Sequence, residues 1–199
     1  MESTKQYIAS KAFGLFLTCS YKEVTLKRLL KETALSKGAF YHHFSSKEDL
    51  FEQVVDQFFF AAADTVRFSP SKELSFHENM TALLESKQKA FAWFAGKYGD
   101  LQQEMNFFLF LVEAIRHLAS VRDKVEKMVA LETETIRLIL EMAEKNRELK
   151  PGPDLDLLAE HLVKALDGYE MHGVLLGLSS ETFALQKQMI GQLWALIKT

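Results

Sequence analysis

The stretch from Thr25 to Leu50, TLKRLLKETALSKGAFYHHFSSKEDL, decides the fold. Thr25 is a good N-cap for a short helix through Thr33, with Leu26, Leu29 and Leu30 on one side. Ala34-Leu35-Ser36 supplies a turn, and Ser36 can cap a second short helix over about 37–43. Ser46 can cap the next helix, with Asp49 three residues on as an acidic capping-box partner. Two helices joined by a turn, the second entering a major groove, follow helix-turn-helix logic. Leu35 and Phe40 can lock the second helix onto the first, and Phe44 belongs to the core. Lys37, Gly38 and Ala39 then lie on the exposed first turn, where a Lys can donate to guanine and an Ala methyl can touch a thymine methyl. Tyr41, His42, His43 and Lys47 are placed to donate to phosphates, and one of the two histidines can instead pack inward. Thr25 and Ser36 are caps first, but helix N-termini also favour anions; with Lys27 they complete the candidate DNA-binding set.

Charge supports this reading. Residues 1–50 hold eight Lys/Arg against five Asp/Glu, a balance of +3, while the remainder holds 16 against 22, a balance of −6. A basic head on an acidic body suits a nucleic-acid reader with a separate regulatory part.

The rest of the 199 residues reads as helices. Three prolines and nine glycines are too few for a turn-rich strand protein. Helical spacing appears over 4–19, from Ser46 toward Val66, over about 74–97, 101–119 and 121–147, from Asp154 to about Leu178, and from Ser179 or Ser180 to Lys198. Phe68-Ser-Pro-Ser and the run NRELKPGP, 146–153, are loops. The expectation is an all-α chain of about nine helices, with no strand.

Several function classes are excluded. Cys19 is alone, so no intrachain disulfide forms. The longest apolar run, Phe107 to Val112, is far short of a membrane span, and the N-terminus lacks a signal-peptide pattern, so a cytoplasmic protein with no membrane partner is expected. No histidine has a Glu three residues before it, as a di-iron bundle requires. Walker loop, dinucleotide fingerprint and nucleophile elbow are absent. His161 and His172 share a helix but lie about 16 Å apart, too far to hold one metal. No catalytic residue, metal or cofactor is expected. A helical interaction module without DNA binding is the competing reading.

The run VTLKRLLKETALSKGAFYHHFSSKEDLF resembles the DNA-binding domain of the TetR family of bacterial transcriptional regulators. Ser36, Lys37, Gly38, Tyr41, His43, Phe44, Ser46, Lys47, Glu48 and Leu50 match its signature, over roughly residues 4–60. Ser20 replaces a usual glycine, Leu29-Leu30 an Ile-Ala pair, and Ala34 the turn glycine, which predicts slight strain at Ala34. The resemblance implies a three-helix DNA-binding domain over 1–48, a linking helix of about 47–67, and a helical ligand-binding and dimerisation domain over 49–199. It implies a ligand-responsive regulator, a repressor, that binds a palindromic double-stranded DNA operator as a homodimer. The apolar helices after Asp154 agree, with Leu158, Leu162, Leu166, Tyr169, Leu175, Phe183, Ile190 and Trp194 as candidate dimer residues; these can also simply close the monomer core. Phe91, Phe94, Tyr98, Phe107 and Phe110, with Glu113 and His117 as polar groups, are candidates for a pocket holding a largely apolar effector, or for ordinary core.

Overall fold

The computed structural model describes residues 3–61, 68–98 and 101–199, with side chains throughout except at 91–98, 101–105 and 179. The described chain is all-α. Nine α-helices follow one another among the described residues: α1 (Thr4–Thr18), α2 (Leu26–Thr33), α3 (Lys37–His43), α4 (Lys47–Val55), α5 (Phe76–Tyr98), α6 (Leu101–His117), α7 (Ala119–Lys145), α8 (Leu155–Leu176) and α9 (Ser179–Ile197). α4 runs on into a π-helical stretch, Asp56–Phe60. The expected helix toward Val66 has its last part outside the described residues.

The chain divides into two compact units. One comprises residues 1–65 with 102–124; the other comprises 66–101 with 125–199.

The first unit is built on aromatic packing. Ile8, Ala12, Phe13 and Phe16 form the buried stripe of α1. They meet Leu29 of α2, Phe40 and Phe44 around α3, and Leu50, Phe51 and Val54 of α4, all buried. Phe13 stacks on Phe58 at 4.3 Å, and Phe110 of α6 meets Phe13 and Phe51 edge-on at 5.5 Å each. Stacked and edge-on pairs are the favoured ring geometries. Beyond this core, Ser120 donates to Glu52 at 2.5 Å and Lys124 pairs with Asp56 at 2.5 Å.

The second unit has an aliphatic core. Phe76, Met80 and Leu84 of α5 join Ile136, Ile139 and Leu140 of α7, Leu162, Val163 and Leu166 of α8, and Ile190 of α9. Trp194 stacks on Phe76 at 4.6 Å. The loop before α5 is held by buried Asn79, whose Oδ1 accepts from the Ser71 N–H and whose Nδ2 donates to the Ser71 and Leu74 carbonyls. The loop expected at 146–153 contains one feature the pattern did not suggest. Leu149 forms an isolated antiparallel bridge with Lys198, tying the chain's last residues to it.

Candidate nucleic-acid interface

Local sequence sets the geometry of the reading helices. Thr25 caps α2 by accepting the Arg28 N–H at 3.3 Å, and Ser36 caps α3 by accepting the Ala39 N–H at 3.2 Å. Between them Ala34 adopts φ 56°, ψ 28°, the left-handed conformation that ends α2. The strain anticipated at this position is therefore present, because an L-residue with a Cβ pays for that conformation.

α3 buries Phe40 and turns Lys37, Gly38, Tyr41 and His42 outward. Tyr41 is 48% exposed and lies edge-on to Phe40 at 5.4 Å. The Lys37 ammonium sits 5.9 Å from the Tyr41 ring. His42 is exposed and His43 half-buried, with ring centroids 4.9 Å apart, so His43 is the one that packs inward. Ala39 is half-buried; Lys27 on α2 is exposed. A methyl group added at Gly38 would meet only the Ser36 Oγ, at 3.9 Å. The protein's own packing does not require glycine there.

Lys47 departs from the expectation of a free phosphate donor. Its Nζ donates to the Tyr21 carbonyl at 2.8 Å and lies 3.9 Å above the Tyr21 ring. Burial holds its ammonium below the usual lysine range. Tyr21 joins α4 and α6. Its N–H donates to Glu113 Oε2 of α6 at 3.2 Å, and its ring lies 4.5 Å from His117 and 4.8 Å from Phe51. Burial, together with the Glu48 charge, pushes its phenol up to about 12. His117 Nε2 is 3.6 Å from the same Glu113 oxygen.

The pocket candidates fall in different surroundings. Phe110 is 2% exposed in the core of the first unit, and Glu113 and His117 hold Tyr21 there. Phe107 is half-buried beside Phe59 at 5.6 Å and Phe110 at 6.0 Å. The side chains of Phe91, Phe94 and Tyr98 lie outside the described residues. Sequence reasoning missed the role of Tyr21 because its α6 partner lies 92 positions away, beyond any local signal.

The candidate dimer residues also separate. Leu162, Leu166 and Ile190 are sealed in the second unit's core, with Leu158 and Trp194 packed against it. Phe183 is buried, Tyr169 half-buried and Leu175 exposed. The apolar residues of α8 and α9 thus serve two faces, and the sealed ones offer no area to a second chain.

Among the described residues, no three His, Cys, Asp or Glu side chains are placed to hold a metal ion, and no helix is long and apolar enough to cross a membrane.

A family model described as "Bacterial regulatory proteins, tetR family" matches residues 8–54, which span α1 to α4. Among curated proteins, none matches the chain in sequence. Among solved structures, the chain is similar to the flavonoid-responsive regulator FrrA, at 16% identity and TM-score 0.66, covering 98% of this chain and 97% of that one. A TetR transcriptional regulator from Chloroflexus aurantiacus J-10-FL matches at 21% identity and TM-score 0.61, covering 98% and 96%. The regulatory protein TetR from Rhodobacter sphaeroides matches at 16% identity and TM-score 0.60, covering 94% and 96%. At such identities the likeness is one of fold, nearly end to end, and it joins the family-specific motif found on α1 to α4. Residues 8–54 thus carry the DNA-binding domain of the tetR family of bacterial regulatory proteins, in a chain that shares the fold of TetR regulators nearly end to end.

Proposed function

We propose that the protein is a repressor that binds a palindromic operator as a homodimer and releases it when a small molecule occupies its helical C-terminal region. The outward face of α3 carries this reading: Lys37, Gly38, Tyr41 and His42 are exposed on a helix whose inward face is locked by Phe40. Lys37 and the half-buried Ala39 read base edges, while Tyr41 and His42 hold phosphates. Lys47 contributes charge but acts first as the strut that holds Tyr21.

A second copy is supported by the outer face of α8. Leu157, Met171 and Leu175 share one side of that helix and are exposed, as are Leu176, Leu178, Leu185 and Leu196 nearby in sequence. Exposed large apolar side chains on one helix face support an interaction site. Two copies of α3 one helical turn apart would double the base contacts of one short helix. Response to an effector requires differential affinity for DNA-competent and incompetent states. The Glu113–Tyr21 hydrogen bond supports a route by which α6 can bias the head.

Fluorescence anisotropy with a duplex from upstream of the protein's own gene tests the reading. Specific binding is expected to weaken steeply with salt, as counterion release requires. Gly38→Ala should fold as well as the parent and bind at least about tenfold more weakly, a loss of about 1.4 kcal/mol. Equal affinity for a scrambled duplex at every salt concentration sinks the proposal.

A further inference from the structure

One polar cluster of the second unit is unbalanced. Lys87 of α5 pairs with Glu132 of α7 at 2.7 Å and with Glu170 of α8 at 2.9 Å. Burial works against the Lys87 charge, but Glu170 and Glu132 together hold it well above the usual lysine range. Glu170 Oε1 also accepts from Gln186 Nε2 of α9 at 3.3 Å, and that amide donates to the Leu166 carbonyl at 3.0 Å. Asp167, one turn from Glu170 on α8, feels the same group. The residue is exposed overall, but partial burial of its carboxyl pushes it up to about 6; the Lys87 charge opposes this, and the Glu132 and Glu170 charges add to it.

Two shortages result. One ammonium is ion-paired with two carboxylates, and the Asp167 charge acts on the same group. Gln186 is fully buried, yet its Oε1 receives no hydrogen bond. A buried polar atom without a partner is costly and calls for explanation. With the Gln186 amide nitrogen fixed by two acceptors, its oxygen cannot be satisfied by flipping the group. Every unfilled valence here is an acceptor or a negative charge. The surplus charge lies where a ligand can reach it: the Glu132 and Glu170 side chains are 20% and 39% exposed, and Asp167 is exposed. A metal ion does not fill the gap, because among the described residues no three acidic, His or Cys groups converge closely enough.

We propose that Glu170, Asp167, Glu132 and Gln186 form the recognition site for a small organic cation with N–H donors, a protonated amine. Its ammonium neutralises the surplus carboxylate charge beside Lys87, and a donor reaches Gln186 Oε1. This rests on the effector reading above and gives the effector a chemical class. Lys87 acts as a positioning residue that keeps Glu132 and Glu170 together while the site is empty.

The test uses the full-length protein and three probes of one shape: phenethylammonium, neutral phenethyl alcohol and anionic phenylacetate. Binding is read by calorimetry at pH 7.5 and 5.5. Phenethylammonium is expected to bind at least tenfold more tightly than either of the others at pH 7.5. Its affinity should fall severalfold at pH 5.5, as Asp167 takes up a proton between Lys87, Glu132 and Glu170. Asp167→Asn, at an exposed position that tolerates change, should weaken the amine and flatten this pH dependence; Glu170→Gln should weaken it further. Equal binding of amine and alcohol, no binding of the amine, or a pH dependence unchanged in Asp167→Asn overturns the assignment. Operator affinity measured alongside separates the two claims. Release by the alcohol or phenylacetate alone overturns the cation class and leaves the effector reading standing. Amine binding that leaves operator affinity unchanged supports the site and removes its effector role.

Discussion

Ala34 holds φ 56° at the end of α2, where a side chain costs about 1–2 kcal/mol relative to right-handed backbone. It is exposed, so no packing compensates at that side chain. The conformation itself is needed, because it stops α2 and lets Ser36 begin α3 two residues on. Ala34→Gly should therefore raise stability by about 0.5–1 kcal/mol, the relief of the left-handed conformation less the extra chain entropy of glycine. Denaturant unfolding of the two proteins measures it. A loss of stability would show that the turn is not strained. This position was legible in the sequence, since the turn chemistry is local and the residue there is not the one the turn prefers. The engagement of Lys47 was not. An exposed-looking cation next to a cap reads as a phosphate donor, and only the folded chain brings the Tyr21 carbonyl to 2.8 Å from its Nζ.

At the scale of elements, α4 shows how far a local motif carries. Ser46 caps it as expected, accepting the Asp49 N–H at 3.0 Å. The Asp49 carboxylate, however, reaches one residue further back: Oδ2 accepts the Ser45 N–H at 2.7 Å and the Ser45 hydroxyl at 2.9 Å. Gln53 donates to Oδ1 from the next turn. Burial works to raise this carboxyl, but the Ser45 and Gln53 hydrogen bonds outweigh it and hold it below the usual aspartate range. The sign follows directly. A depressed carboxyl contributes stability above its unfolded value, near 3.9, and loses it as pH falls through the folded value. Asp49→Asn should cost about 1–2 kcal/mol at pH 7, in the range of hydrogen bonds to a charged group. The difference should shrink on acidification and vanish once pH falls below the folded value, as thermal melts across pH would record. An unchanged gap at low pH would place the effect in packing instead. Helix starts with Ser, Thr or Asp were thus readable. The π-helical stretch at 56–60 and the bridge at Leu149 were not, because neither has a residue pattern distinct from its surroundings.

For the whole molecule, the limiting ambiguity lay in helices that are apolar on more than one face. Periodicity reported that α8 and α9 are rich in Leu, Ile and Phe without saying which face meets which partner. The fold sorts them: Leu162, Leu166 and Ile190 close the second unit, while Leu157, Met171 and Leu175 face outward. The two sets make opposite predictions. A charge at Leu166 would be buried without a partner and should unfold the unit. A charge at Leu175, which is 50% exposed in the single chain, should leave the fold intact and act only on a second copy. Leu175→Glu should therefore preserve helical content and cooperative melting while shifting the mass in light scattering from twice 22.8 kDa to 22.8 kDa. It should also weaken operator binding by about a hundredfold or more, because linked heads gain that order of avidity and a lone head does not. A folded Leu175→Glu protein that stays at the larger mass and keeps its operator affinity would move the interface away from the outer face of α8. The same loss of operator affinity without a change of mass would show that this face acts on DNA binding by a route other than pairing.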